Sequence, residues 1–438
     1  MTYEKALAFI HSRGRFGSTL GLERVGTLLK LLGNPEKKVR CIHVAGTNGK
    51  GSTSAMFAEV FTRAGYKTGL YVSPFVEDFR ERIQIDRRLI PGEDLARWVE
   101  KLAPLCEKTR EITGTEVTEF ELETALAFGY YAEEACDVAV MEVGLGGRFD
   151  ATNVIESPLL SAICYIGLDH TAILGDTYAK IAFEKCGIIK KGRPTVSYAD
   201  QRPEALEVIR EECRKKESPL LLPGLSSLQI TSLSPEGSDF LYKGEAFHLS
   251  IPGRHIVKNA LSVIEGCRYL APEFPGIEEK LKEALAGVSF GGRFERIAPD
   301  VYIDAAHNPD CVDAVCDTIE KFFSGRKLIA VMGMLRDKDH AYCVKKIAEK
   351  ADFFFAVTPD SPRAQPAEVT REEALPFVPS AEACRTLREA AEKAVAAREK
   401  AGDGVLIALG SLYYIGAMKR ELLAVLEERK EEESRESH

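Results

Sequence analysis

The stretch Arg40-Cys41-Ile42-His43-Val44-Ala45-Gly46-Thr47-Asn48-Gly49-Lys50-Gly51-Ser52-Thr53 decides the fold. A β-branched run enters a glycine-rich turn that carries one lysine and is followed by two hydroxyl residues. Beyond it, Met56, Phe57, Val60, Phe61 and Ala64 fall at helical spacing. Strand, glycine loop and helix in that order form an anion cradle. Glycines let backbone N–H groups close on phosphate, the helix N-terminus adds partial positive charge and lysine adds a full one. The pattern points to a nucleoside triphosphate. It departs from the usual P-loop in two respects: only two residues separate Gly46 from Gly49, where four are usual, and Gly51 stands where a magnesium-binding Ser/Thr is expected.

Working outward, short apolar runs recur between helical stretches. Val39–Val44, Thr68–Val72, Asp137–Val143, Leu160–Ile166 and Thr195–Tyr198 read as buried strands, with a helix over Glu121–Ala135 among the segments between them. This alternation predicts an α/β fold with a parallel sheet covered on both faces. Residues 220–250, broken by Ser-Pro-Glu-Gly and Lys-Gly, read as a small antiparallel appendage. A second, Rossmann-like α/β series begins at Val301–Ala305 and continues with Lys327–Met332, Asp352–Thr358 and Gly404–Leu409. The expected domains are therefore 1–296 and 297–438, with Gly287–Pro299 as the hinge. The charged tail from Glu427 reads as a frayed helix end or a disordered segment.

Composition narrows the function. The 438 residues carry 45% hydrophobic and 29% charged residues, a net charge of −9 and no dense Lys/Arg block, which argues against nucleic-acid and membrane-surface partners. No stretch approaches a membrane span, and the N-terminus has no secretory pattern. Eleven cysteines without a Cys-x-x-Cys pair indicate buried thiols in a reducing cytoplasm, and the eight histidines lack zinc-ligand spacing. A monomer acting on small molecules is expected.

In open parallel sheets, ligands bind beyond the carboxyl ends of the strands. There the first domain offers the loop Gly46–Ser52, Ser73, Glu142 and Asp169-His170. Taken singly, each has a plain structural use as a solvated carboxylate or helix cap; together, beside a phosphate loop, they suit magnesium. The second domain offers Asp304, His307 and Asn308, then Arg336, Asp337 and Lys338, then Arg363 and Ser411.

Four segments share a pattern: His43–Ser52, Glu142-Val-Gly-Leu-Gly-Gly-Arg-Phe-Asp-Ala-Thr-Asn153, Asp169-His170 with Glu184-Lys185-Cys-Gly-Ile188, and Asp304-Ala-Ala-His-Asn-Pro309. The chain resembles the folylpolyglutamate synthases of the Mur ligase family, including bifunctional bacterial forms that are also dihydrofolate synthases, from about Leu20 to Ser411. The resemblance implies that Thr47, Asn48, Gly49, Lys50, Gly51, Ser52, Asn259, Arg293 and Asp304 hold ATP. It implies two magnesium ions on Ser73, Glu142, His170 and Lys185, the last carbamylated. By itself Lys185 reads as a surface helix lysine. Lys50, Lys185, His170 and Arg293 would carry the catalytic charges. Leu20, Gly21, Leu22, Thr118, Phe120, Phe149, Asp150 and Ala151 would form the pterin side of the substrate pocket, and His307 and Ser411 would bind glutamate.

The implied chemistry is ATP-driven ligation of L-glutamate to tetrahydrofolate, and to dihydropteroate, through an acyl phosphate, with the second domain closing over the first to exclude water. Two alternatives stand beside it. A cell-wall Mur ligase would need a further UDP-binding domain, whereas about 38 residues precede the first strand. An ATP-dependent switch protein would turn over slowly and ignore glutamate.

Overall fold

The computed structural model describes residues 1–16 and 21–436, so the expectation for Leu20 lies outside the described residues. The chain divides into two compact units. The first comprises Met1–Thr231, Asp239–Ser250 and His255–Val288, and the second comprises Ser232–Ser238, Ile251–Arg254 and Ser289–His438.

The first unit is built on β1 (Cys41–Ala45), β2 (Thr68–Tyr71), β3 (Ile83–Ile85), β4 (Arg88–Leu89), β5 (Val138–Glu142), β6 (Leu160–Ile163), β7 (Thr195–Ser197) and β8 (Leu220–Leu221), in the order β4-β3-β2-β5-β1-β6-β7-β8. β1 lies centrally and pairs in parallel with β5 and β6. Every residue of β1 and β5 is buried, as expected of strands covered on both faces. The sheet is mixed: β3 and β4 add antiparallel strands at one edge. Helix Lys50–Arg63 packs on β1, β2 and β5 through a side that buries Met56, Phe57, Val60 and Phe61. One core cluster joins Cys41, Ala139 and Met141 of the sheet to Ile10, Leu28, Trp98 and Phe128 of the helices. β9 (Leu228–Ser234), β10 (Gly237–Tyr242) and β11 (Glu245–Leu249) form a separate three-stranded sheet, where the appendage was expected, although Leu220–Leu221 joins the main sheet.

The second unit contains β12 (Glu295–Ala298), β13 (Val301–Asp304), β14 (Leu328–Met332), β15 (Phe353–Ala356), β16 (Ala381–Ala383) and β17 (Val405–Leu409), ordered β12-β13-β17-β14-β15-β16. All pairings are parallel except β12 with β13. The expected boundary at 296/297 would cut through β12. The ladder from Glu295↔Ile303 to Ala298↔Val301 ties that strand to the second sheet, so the boundary falls at Val288/Ser289. For the tail from Glu427, the structure shows the helix-end alternative. The tail continues helix Leu412–Glu436 without a break, supported by i,i+4 and i,i+3 charge pairs such as Arg435–Glu431 and Arg429–Glu432. All eleven cysteines are free thiols, and all but Cys311 are buried. No described helix is long and apolar enough to cross a membrane.

Candidate active site

Strand β1 delivers the glycine loop to the carboxyl edge of the first sheet. Gly49 caps helix Lys50–Arg63 with φ +88°, in the left-handed region that glycine tolerates. A side chain there would also collide with Asn259, whose Nδ2 lies 2.6 Å from an ideal Cβ. The loop is fastened from outside: Thr47 N and Asn48 N donate to Tyr165 O at 2.8 and 3.2 Å, and Thr47 Oγ1 donates to Gly167 O at 3.0 Å. The segment after β6 therefore sets the loop's shape. Lys50 Nζ lies 3.4 Å from Thr47 O, turned back over the loop. Ser52 is buried and its hydroxyl donates to Gly49 O at 3.1 Å, while Asn259 Nδ2 donates to Ser52 Oγ at 3.4 Å. Asn259 reaches the loop from a helix more than 200 residues later in the chain.

Glu142 ends β5 opposite Val44, two residues before the loop begins. It is 3% exposed, and its Oε2 accepts from Ser73 N at 3.3 Å. Lys185 is the largest departure from a reading of the residue alone. It is buried, with Nζ donating to Gly46 O at 2.8 Å. The helix Tyr178–Lys185 ends against the loop Gly147–Arg148, where Arg148 N donates to Glu184 O, so the last side chain points inward. Burial, then the positive charge of Lys50, lowers the Lys185 amine to about 7, against a weaker upward pull from Asp169. His170 is exposed and sits at φ +51° ahead of the turn Thr171–Leu174.

The residues expected on the pterin side divide in two. Thr118 caps helix Glu119–Glu133 in a capping box with Glu121, and Phe120 packs on Tyr71 with ring centroids 5.8 Å apart. Gly144 approaches Phe120 so closely that a Cβ would lie 2.6 Å from Cζ. Phe149 is exposed, whereas Ala151 and Asp150 are buried. Asp150 accepts from Gly144 N, Leu145 N, Thr152 N and Thr152 Oγ1, so its lone pairs are spent on shaping the glycine turn. Gly21 and Leu22 precede helix Glu23–Leu32, whose Arg24 reaches Glu121. Sequence reasoning missed Arg24 and Glu121 because a buried ion pair between distant segments leaves no periodic trace.

In the second unit, Asp304 ends β13, with both oxygens accepting backbone N–H groups, from Phe294 and Ala306, at 2.7 Å. Burial raises its pKa, partly offset by Arg293. Arg293 lies over the Phe290 ring and donates to Gly292 O. His307 Nδ1 is 2.8 Å from Ala305 O, so that nitrogen carries the proton. Ser411 follows β17, and its Oγ accepts from Tyr413 N at the start of helix Leu412–Glu436. Arg363, in the segment between β15 and helix Ala367–Ala374, bonds Asp337 and the Tyr413 hydroxyl at 2.9 and 2.8 Å.

Comparison with known families agrees with this architecture. Residues 44–266 match the Mur ligase middle domain, and residues 292–411 match the Mur ligase, glutamate ligase domain. The chain is thus a two-domain Mur-type ligase. It is 35% identical over 433 residues to the dihydrofolate synthase/folylpolyglutamate synthase of Bacillus subtilis, covering 96% of this chain and 99% of that one. Among solved structures, a Mycobacterium tuberculosis folylpolyglutamate synthase complexed with ADP superposes with a TM-score of 0.85 at 29% identity, covering 96% and 98% of the two chains. The E. coli FolC in complex with DHPP and ADP gives 0.82 at 26% identity, covering 97% and 98%. The chain belongs to the dihydrofolate synthase/folylpolyglutamate synthase family.

Proposed function

We propose that the protein uses ATP to join L-glutamate to the γ-carboxylate of a reduced folate's terminal glutamate, and to the carboxylate of dihydropteroate. The observation that carries this reading is the convergence of Lys50 and Lys185 on one glycine loop at the end of β1, with Glu142 at the end of the neighbouring strand β5. A cationic lysine and a buried lysine amine around a cradle of backbone N–H groups, with a carboxylate at the neighbouring strand end, suit phosphoryl transfer to a carboxylate acceptor.

In the proposed sequence, the loop from Thr47 to Ser52 holds the ATP phosphates by N–H groups at the helix N-terminus, with Lys50 neutralising charge on the transferred group. Asn259, Arg293 and Asp304 are assigned further ATP contacts. The acceptor carboxylate takes the γ-phosphoryl group, giving an acyl phosphate and ADP. The α-amine of glutamate, placed by His307 and Ser411, attacks the acyl carbon. The tetrahedral intermediate then loses phosphate, and the amine loses its proton, to leave the amide. The pterin end is assigned to Gly21, Leu22, Thr118, Phe120 and the Phe149–Ala151 turn.

Magnesium fits the residues present. Glu142 is a buried carboxylate beside Ser73, with His170 on the segment that fastens the loop. No group of three or more His, Cys, Asp or Glu side chains converges among the described residues. That donor set suits an ion that keeps waters and phosphate oxygens rather than one held in a protein cage. Ser73, Glu142 and His170 would hold it, and when bound it would screen phosphate charge. The buried amine of Lys185 suits carbamylation, in which its nitrogen bonds to carbon dioxide and releases a proton; the product would offer oxygens to a second ion. Labelled bicarbonate should then give a carbamate carbon resonance that disappears in Lys185→Arg. A spectrum without it refutes the modification.

The eleven thiols and the net charge of −9 support a cytoplasmic, small-molecule enzyme, which we take to be monomeric. The deciding assay measures phosphate release with ATP, magnesium and either tetrahydrofolate or dihydropteroate. Glutamate-dependent release with both acceptors supports the full reading. Failure with dihydropteroate alone removes the second activity, and failure with both overturns the proposal.

A further inference from the structure

Arg24 and Glu121 form a charge pair removed from water, with 7% and 4% of their surfaces exposed. Arg24 Nε donates to Glu121 Oε2 at 3.0 Å, and its NH2 group lies 2.9 Å from Oε1. Glu121 is also half of the capping box. Its Oε2 accepts from Thr118 N at 2.8 Å and from Thr118 Oγ1 at 3.0 Å, while Glu121 N donates to Thr118 Oγ1 at 3.3 Å. One carboxylate oxygen, Oε2, thus accepts from both Arg24 and Thr118, while Oε1 has only the ion-pair approach of the Arg24 NH2 group. Helix caps rarely need a buried arginine behind them: a capping box is complete with its two residues. Burying a guanidinium is costly unless it is paired, so this arrangement asks for a purpose beyond capping.

Position suggests that purpose. Arg24 stands two residues after Leu22 of the Gly21-Leu22 pair, and Glu121 immediately after Thr118–Phe120. The pair is the cross-link, across 97 residues of sequence, between the two stretches assigned to the pterin end of the pocket. It also fixes a proton. A carboxylate gripped by a guanidinium accepts and does not donate, so the Thr118 hydroxyl must direct its hydrogen at Glu121. One lone pair of Thr118 Oγ1 is taken by Glu121 N, and the Thr118 carbonyl accepts from Leu122 N. What the Thr118 hydroxyl has left to offer is a single acceptor site.

We infer that Arg24 is a positioning residue for the acceptor substrate: through Glu121 it holds Thr118 Oγ1 as an acceptor only, matched to an N–H donor such as the amino or ring N–H of a pterin. This rests on the proposed assignment of Thr118 to the acceptor pocket. Without Arg24 the Thr118 hydroxyl regains a rotor, and its hydrogen can point at the ligand's own N–H.

The test uses the purified full-length chain and four variants: Thr118→Val, Arg24→Lys, Arg24→Met and the double variant Arg24→Met with Glu121→Met. KM for dihydropteroate and for tetrahydrofolate, KM for ATP, kcat and thermal midpoint are measured for each. Thr118→Val should raise acceptor KM about 10-fold and leave the ATP value unchanged, as expected for one lost hydrogen bond. Arg24→Met should do the same and also lower the thermal midpoint, because it strands a buried carboxylate; Arg24→Lys should fall between it and the parent. The double variant separates positioning from structure. Replacing both charges by apolar groups removes the stranded carboxylate, so the thermal midpoint should recover part of the way, short of the parent by the lost capping box, while acceptor KM stays raised. An acceptor KM that returns to the parent value as stability recovers overturns the inference. So does a parental acceptor KM in Arg24→Met when Thr118→Val is impaired. A parental acceptor KM in Thr118→Val overturns instead the assignment on which the inference rests.

Discussion

Replacing Gly49 by alanine separates two penalties that the loop imposes on any other residue. The backbone there sits at φ +88°, and moving an L-residue into that region costs about 1–2 kcal/mol. The second penalty is steric. An ideal Cβ would stand 2.6 Å from Asn259 Nδ2, 2.7 Å from Oδ1 and 2.9 Å from Cγ, all well inside contact distance. Asn259 is 3% exposed and bonded to Ser52, so it yields only by giving up that bond and disturbing its neighbours. Overpacking of this kind costs about 1–3 kcal/mol, which brings Gly49→Ala to about 2–5 kcal/mol in total. Asn259→Ala removes the obstacle but not the backbone strain. The double variant should therefore lose only about 1–2 kcal/mol relative to Asn259→Ala alone, with a coupling of about 1–3 kcal/mol between the sites. The chain has a single tryptophan, Trp98, buried in the core cluster of the first unit, so its fluorescence during urea unfolding reports that unit. A Gly49→Ala chain within about 0.5 kcal/mol of the parent, or a cycle that is simply additive, would refute the reasoning.

Other expectations follow the same logic. Glu142→Gln keeps the shape of the strand end but removes its charge; the magnesium concentration giving half-maximal rate should rise roughly 10-fold or more, and an unchanged requirement argues against Glu142 as a ligand. Gly410→Ala places a Cβ 2.4 Å from Gly333 O at φ +122°, so the second unit should lose roughly 2 kcal/mol or more by a probe specific to it, such as hydrogen exchange across β14 and β17. Glu123, 1% exposed, has its carboxyl raised to about 7, by burial first and against the pull of Arg82. Between pH 4.5 and 7 the unfolded chain releases this proton while the folded chain keeps it, so the group makes stability fall as pH rises. The stability of Glu123→Gln relative to the parent should thus shift in the variant's favour by up to about 3 kcal/mol over that window; a pH-independent difference would contradict the burial argument.

Much of the frame was legible because it is local. The apolar runs at β1, β2, β5 and β6 and in the second unit at β13, β14, β15 and β17 announce buried parallel strands by composition alone, and their ends mark the ligand edge by rule. What escaped was either short or exposed, like β4 and β16, or depended on pairing, like β12, whose identity as a strand comes from its antiparallel ladder with β13. Among candidate residues, Ser73 and Glu142 were placed by strand ends and do meet. Lys185 needed the family resemblance, because a lysine ending an amphipathic helix gives no sign of which way its amine will turn.

The glycine spacing of residues 46–51, the strand before it and the helix after it were enough to mark a candidate anion cradle, since backbone amides and a helix terminus act wherever the local geometry forms. Which side chains the cradle would gather was settled by the fold. Tyr165 and Gly167 hold the loop, Asn259 packs against Gly49 from over 200 residues away, and Lys185 is turned inward by the packing of its helix on Gly147-Arg148. Charges lowered or raised by burial, like that amine at about 7, belong to the same category: desolvation is a property of the surroundings, and no residue carries its surroundings in its own sequence.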